Sequence, residues 1–155
     1  MRLLLGQLPQ GGLTVRERLG DLIAPDWLGR ISLDLAAEED IDTLGTKLLS
    51  EPDDVIEDWL IVRLTVRSDR TSAQSLRLLG RYTRGAPQAP FVSSDIVGIA
   101  LDVALVLTCT GGLYGLGRRA DGEPSEEAVA HMRHAMVDWG FGRCLSPAPG
   151  TEVGP

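Results

Sequence analysis

Residues 60–67 read Leu-Ile-Val-Arg-Leu-Thr-Val-Arg, with Val62, Leu64 and Val66 on one parity and Arg63, Thr65 and Arg67 on the other. Side chains alternate faces along a strand but recur every 3.6 residues along a helix, so this octet predicts a strand with one face on a core and one in water. Ile31, Leu33 and Leu35 repeat the pattern between Arg30 and Leu35. Weaker strands are expected over residues 2–8 and 113–116, which makes four.

Helical signals fill the intervals. Thr14-Val15-Arg16-Glu17 has the form of a capping box, in which hydroxyl and carboxylate satisfy the first free amides of a helix. Leu19, Leu22 and Ile23 then form a short stripe that Pro25 ends. Ile41, Leu44 and Leu48 keep helical spacing, as do Ala73, Leu76, Leu79 and Tyr82 behind a cap region at 69–72. Residues 95–109 are apolar almost all round, from Ile96 and Val97 to Val106 and Leu107. A helix without a polar face is buried on several sides, so this stretch reads as a central helix closed by Gly111 or Gly112. A last helix is expected from Pro124 or Ser125 to Gly140. The expectation is an α+β protein: a single domain over 1–145, with an about four-stranded mixed or antiparallel sheet and helices mainly on one face. A flexible tail at 146–155 follows, and a doubly wound parallel sheet is the runner-up.

No apolar run reaches the roughly 20 residues that span a bilayer, and Met1 to Gly6 offers only three consecutive leucines where a secretory signal has about 7–15 apolar residues. Cys109 and Cys144 lack CxxC spacing; Cys109 is expected to be buried and reduced, Cys144 exposed. The reading is a cytoplasmic protein. Its formal charge of −7 weighs against broad attraction to nucleic acid or anionic membrane.

That negative charge is unevenly placed. Glu38, Glu39, Asp40, Asp42, Glu51, Asp53, Asp54, Glu57 and Asp58 face Lys47 alone within residues 38–58. Residues 61–84 hold Arg63, Arg67, Arg70, Arg77, Arg81 and Arg84 against Asp69. Two readings compete: the segments neutralise one another within the fold, or the acids form a docking patch that steers a basic protein partner. In the second reading Trp59, at the edge of the segment, is a contact residue and Trp27 another aromatic anchor; the core is an equal alternative for both rings.

Other constellations favour structure over chemistry. Glu127, His131, His134 and Asp138 fall within roughly 60° on the last helix. Such a stripe could hold zinc or exchange protons, but it also reads as ordinary i,i+4 pairs flanking the apolar stripe. Asp102, the ionisable group inside the apolar stretch, must be paired, protonated or facing water. The glycines of 111–117 follow a predicted helix and lack the order of a phosphate loop. No metal, cofactor or catalytic residue is assigned.

Ser94-Asp95-Ile96 through Gly111-Gly112-Leu113, an Asp-led apolar run passing through a double glycine, resembles segments of small single-domain bacterial toxin-immunity proteins. About twenty residues carry this resemblance. It implies a noncatalytic protein that occludes a cognate toxin domain, often through acidic side chains, and it transfers no individual residue. The expected function is therefore a noncatalytic protein-binding domain of immunity or antitoxin type. The alternatives are a small enzyme built on Asp102 or His131/His134, and a self-associating structural or accessory subunit.

Overall fold

The computed structural model describes residues 17–84 and 88–147. Its centre is a mixed sheet of seven strands: β1 (Ile31–Leu35), β2 (Asp54–Arg67), β3 (Ser72–Tyr82), β4 (Pro90–Val92), β5 (Ile96–Ala100), β6 (Leu105–Thr108) and β7 (Leu113–Leu116). The helices are α1 (Glu38–Thr43) and α2 (Glu126–Asp138), supplemented by single 3-10 turns. The order across the sheet is β4-β3-β2-β7-β6-β5, with β1 paired to β2 off this path.

The 14-residue β2 organises everything else. One edge pairs antiparallel with β3 from Ile56↔Tyr82 to Arg67↔Ser72. The other edge is divided: its first residues run parallel to β7, and Val62 to Val66 run antiparallel to β1. Between these halves β2 bulges from Glu57 to Leu60, with Asp58 in the left-handed region at φ 51°. Aspartate tolerates that region better than bulkier residues do.

Both faces of the sheet are covered, and this overturns much of the sequence expectation. Val62, Leu64 and Leu79 pack with Val129, Met132 and Met136 of α2 on one side. Ile56, Ile61, Leu76 and Leu78 pack with Phe91, Ile96, Ile99 and Val106 on the other. The Phe91 ring of β4 lies 4.7 Å from the Tyr114 ring of β7. Those strands are three places apart in the sheet, about 14 Å if it were flat, so the sheet curls strongly around this second core.

A strand apolar on both sides loses its alternation. The predicted helix at 73–82 is therefore β3: Leu76 and Leu78 enter one core and Leu79 the other, which imitates helical spacing. The expected central helix at 95–109 is the antiparallel pair β5–β6. Its residues are rich in Ile and Val, whose branched Cβ suits a pleated sheet. The turn at 101–104 uses Ala104 at φ 54° and carries no glycine or asparagine that would announce it. The expectation of about four strands with helices mainly on one face is corrected: the described residues form seven strands in one mixed sheet and two helices, of which only α2 exceeds seven residues.

Other expectations survive better. Strands at 31–35, 60–67 and 113–116 are present, though Thr65, expected in water, is 3% exposed and Val66, expected inward, is 38% exposed; the last helix is capped by Ser125 Oγ, which accepts from the Ala128 amide at 3.1 Å. Leu19 and Leu22 are buried, but on a single 3-10 turn. The two cysteines are reversed: Cys109 is exposed and Cys144 buried. Ser146, expected to start a loose tail, donates its amide to Leu22 O at 2.8 Å and accepts from Arg133 at 2.5 Å. Arg133 also pairs with Glu17. The strand expected at 2–8, most of the Thr14 capping box and residues 148–155 lie outside the described residues.

Candidate protein-binding face

The acids of residues 38–58 divide into two groups once their partners are named. Most are engaged inside the fold. Asp40 accepts from the Ala37 amide at 2.9 Å, capping α1, and from Arg63 at 2.9 Å; Arg63 also pairs with Asp34 at 2.6 Å. Asp54 is 6% exposed and accepts from the Val55 amide, the Thr83 hydroxyl and the Arg84 amide. Asp53 accepts from the Leu113 amide and Glu57 from the Arg118 amide, which ties β2 to β7. Asp58 is held by Arg81 and, at 2.7 Å, by Arg118. Glu38 reaches Arg119 at 3.0 Å.

Trp59 is likewise structural. It is 7% exposed, donates Nε1–H to Gly117 O at 3.0 Å, and lies 5.0 Å from the Arg119 guanidinium carbon. The expectation that Trp59 anchors an interface is corrected, because its ring is already inside the second core. Trp27 is half-buried and has two guanidinium groups near its ring, Arg30 at 5.6 Å and Arg143 at 5.7 Å.

Asp58 shows what internal pairing does to these carboxyls. Hydrogen bonds from Arg118 and then Arg81 hold its pKa below the ordinary 3.8. A depressed carboxyl contributes stability that is complete above the unfolded value and disappears as pH falls through the folded one. Urea unfolding between about pH 5 and about pH 2.5 should therefore show wild type above Asp58→Asn at the upper end, with the gap closing on acidification. A gap independent of pH would remove the ion pairs as its cause.

Glu39, Asp42 and Glu51 remain exposed, with no ion pair among the described residues. Two of them line hollows on either side of the 101–104 turn. Glu51 lines an open groove of about 590 Å³ with Leu48, Leu49, Pro52, Val55 and Val103. Asp42 lines an adjoining hollow of about 190 Å³ with Thr46, Leu101 and Asp102. The 101–104 turn divides the two, placing Leu101 and Asp102 on one side and Val103 and Ala104 on the other. The loop after α1 is held there by parallel bridging to β5, with Ile99 N–H donating to Leu44 O and Thr46 N–H to Ile99 O, each at 2.9 Å.

The apolar centre of this face is unusually open. Leu49 is 91% exposed, and Leu101 and Val103 are each 46% exposed. Single exposed leucines are common on protein surfaces; three large apolar side chains beside two adjoining hollows are the kind of patch that marks association. Asp102, Asp42 and Glu51 edge it, with Lys47 as the local counter-charge. Comparison with protein-family models, curated proteins and solved structures gives no match. The geometry therefore carries the functional argument alone.

The enzymatic alternatives find no assembly. Asp102 sits on the exposed β5–β6 turn, and His131 and His134 lie on the outer flank of α2 while Val129, Met132 and Met136 face the core. Among the described residues no three His, Cys, Asp or Glu side chains form a metal-binding group. Gly111, at φ 93°, lies in the turn from β6 into β7. Sequence reasoning missed Leu49, Leu101 and Val103. One cue was present: Leu49 follows Leu48, the last residue of the helical spacing, and directly precedes Ser50-Glu51-Pro52.

Proposed function

We propose that this chain is a noncatalytic protein-binding domain that receives a basic, partly apolar partner surface on the face around Leu49. The observation carrying this reading is the convergence of Asp42, Glu51 and Asp102, uncommitted among the described residues, around Leu49, Leu101 and Val103. Apolar contact supplies the affinity, while the carboxylates orient the partner and accelerate its arrival by about 10–10³-fold at low salt. Neutralisation of a toxin-like domain by occlusion is the form of this function implied by the immunity-protein resemblance. Among the described residues, no helix is long and apolar enough to cross a membrane. The proposed setting is the cytoplasm, where an exposed free thiol such as Cys109 stays reduced.

The test is capture from extracts of the native host by wild type, by an Asp42→Lys/Glu51→Lys/Asp102→Lys variant, and by a Glu38→Gln/Asp53→Asn/Glu57→Gln variant. A basic protein retained by the first and third, lost by the second and eluted by salt is expected. Equal retention by all three overturns the reading.

A further inference from the structure

We propose that the basic partner of this face is a second copy of the same chain, docked head to tail. The inference rests on the reading above and names its partner. The two ends of β2 are chemically opposite. Near the start of the strand Glu51 lines the groove with Leu49 and Val55, and across the 101–104 turn Asp42 and Asp102 line the smaller hollow with Leu101. At its finish Arg67 and Arg30 line a hollow of about 380 Å³ with Gly29, Ser68 and Asp69. Arg67 N–H donates to Arg30 O at 2.6 Å, fixing these two arginines side by side. Arg70 follows on the β2–β3 turn, and the Arg143 guanidinium lies 5.7 Å from the Trp27 ring.

None of these four guanidinium groups has a carboxylate partner among the described residues, although Asp26 and Asp69 lie alongside. This contrasts with Arg63, Arg81, Arg118, Arg119 and Arg133, which are all paired. The cationic end also has an apolar centre: Leu28 is 49% exposed and Val66 38%, beside the half-buried Trp27. Among the described residues, five of the seven large exposed hydrophobic side chains thus belong to the two ends, the others being Val97 and Val137.

Charge and apolar surface are matched, but they cannot meet within one molecule. Val55 and Arg67 are twelve residues apart on one strand, which is about 40 Å of extended chain. Contact therefore requires two copies, and because the surfaces differ it is heterologous. Such contacts propagate into rings or open chains instead of stopping at a symmetric dimer. The attraction works through exposed charges, so it is strong at about 0.1 M salt and mostly screened at about 1 M.

Sedimentation velocity over a concentration series tests this. At about 0.1 M salt the wild-type mass average should climb past that of a dimer, and at about 1 M salt it should return to monomer. Two capped variants give the decisive result. Asp42→Lys/Glu51→Lys/Asp102→Lys keeps only the cationic end, and Arg30→Gln/Arg67→Gln/Arg70→Gln keeps only the acidic end. Each alone should be monomeric with a wild-type thermal midpoint, and an equimolar mixture should form a 1:1 dimer that does not grow. Wild type that stays monomeric at about 0.1 M salt, or either variant dimerising by itself, overturns the proposal. In the first case salt-sensitive capture of a host protein, lost in the lysine variant, would still uphold the binding face; loss of both would sink it too.

Discussion

Gly80→Ala will destabilise the protein more than any exposed substitution of similar size. A Cβ at this position would strike the Ile56 Cγ2 methyl and lie 2.8 Å from Glu57 O and 3.3 Å from the Trp59 Cα. Two of these three atoms are backbone, so no rotamer change relieves the overlap. The cause is the β2 bulge: one irregular stretch between Glu57 and Leu60 presses the main chain toward β3, and only a residue without a side chain fits opposite. Overpacking of this kind costs about 1–3 kcal/mol. Gly20→Ala, where nothing lies within 4 Å of the added methyl, is the matched control and should change stability by less than about 0.5 kcal/mol. Urea midpoints for the two variants make the comparison. An unchanged midpoint for Gly80→Ala would mean that the bulge relaxes freely and does not hold β2 against β3.

Leu49→Ala has the opposite signature. The side chain is 91% exposed, so truncation removes almost no burial from the folded monomer. If Leu49 inserts into a partner, the same truncation removes a central apolar contact, and hot-spot truncations cost about 2 kcal/mol or more. Affinity should then fall at least about thirtyfold while the thermal midpoint stays at the wild-type value. Titration of the captured host partner, or of the acid-end and cation-end capped variants against one another, reads this directly. Wild-type affinity in Leu49→Ala would show that the groove at 48–55 is not part of the contact.

The contrast between these two sites explains what could be read from the chain. β1 and the second half of β2 were legible because Arg63 and Thr65 interrupt Val62 and Leu64 at a strand's period. The end of the chain was legible through Ser125 and Gly140, a cap residue before the last helix and a left-handed glycine after it. β3, β5 and β6 were not, because Leu76, Leu78 and Leu79 on one strand, and Ile99 with Val106 across another pair, serve a sheet that is buried on both sides. Without a wet face a strand carries no alternation, and a curled sheet with two cores produces several such strands.

The candidate face was half legible. The concentration of acids over 38–58 was evident, but its meaning depends on which arginines return to meet it. Arg63, Arg81, Arg118 and Arg119 arrive from β2, β3 and the loop after β7, and they neutralise Asp34, Asp40, Asp58 and Glu38. Asp102 contributes from a turn 44 residues beyond the acidic segment, and no local pattern ties it to Asp42 or Glu51. The charge run is thus mostly internal structure, with a small remainder exposed around apolar side chains.

That division is best tested with two variants of equal net charge. One is Asp42→Asn/Glu51→Gln/Asp102→Asn; the other is Glu38→Gln/Asp53→Asn/Glu57→Gln. Stopped-flow association with a fluorescent peptide alternating Lys and Leu should be measured from about 0.1 M to about 1 M salt. The first variant should associate slowly and show little salt dependence, while the second retains the steep salt dependence of wild type. Identical salt dependence in both variants would show that only total charge matters, and would contradict a recognition face built from the carboxylates around Leu49.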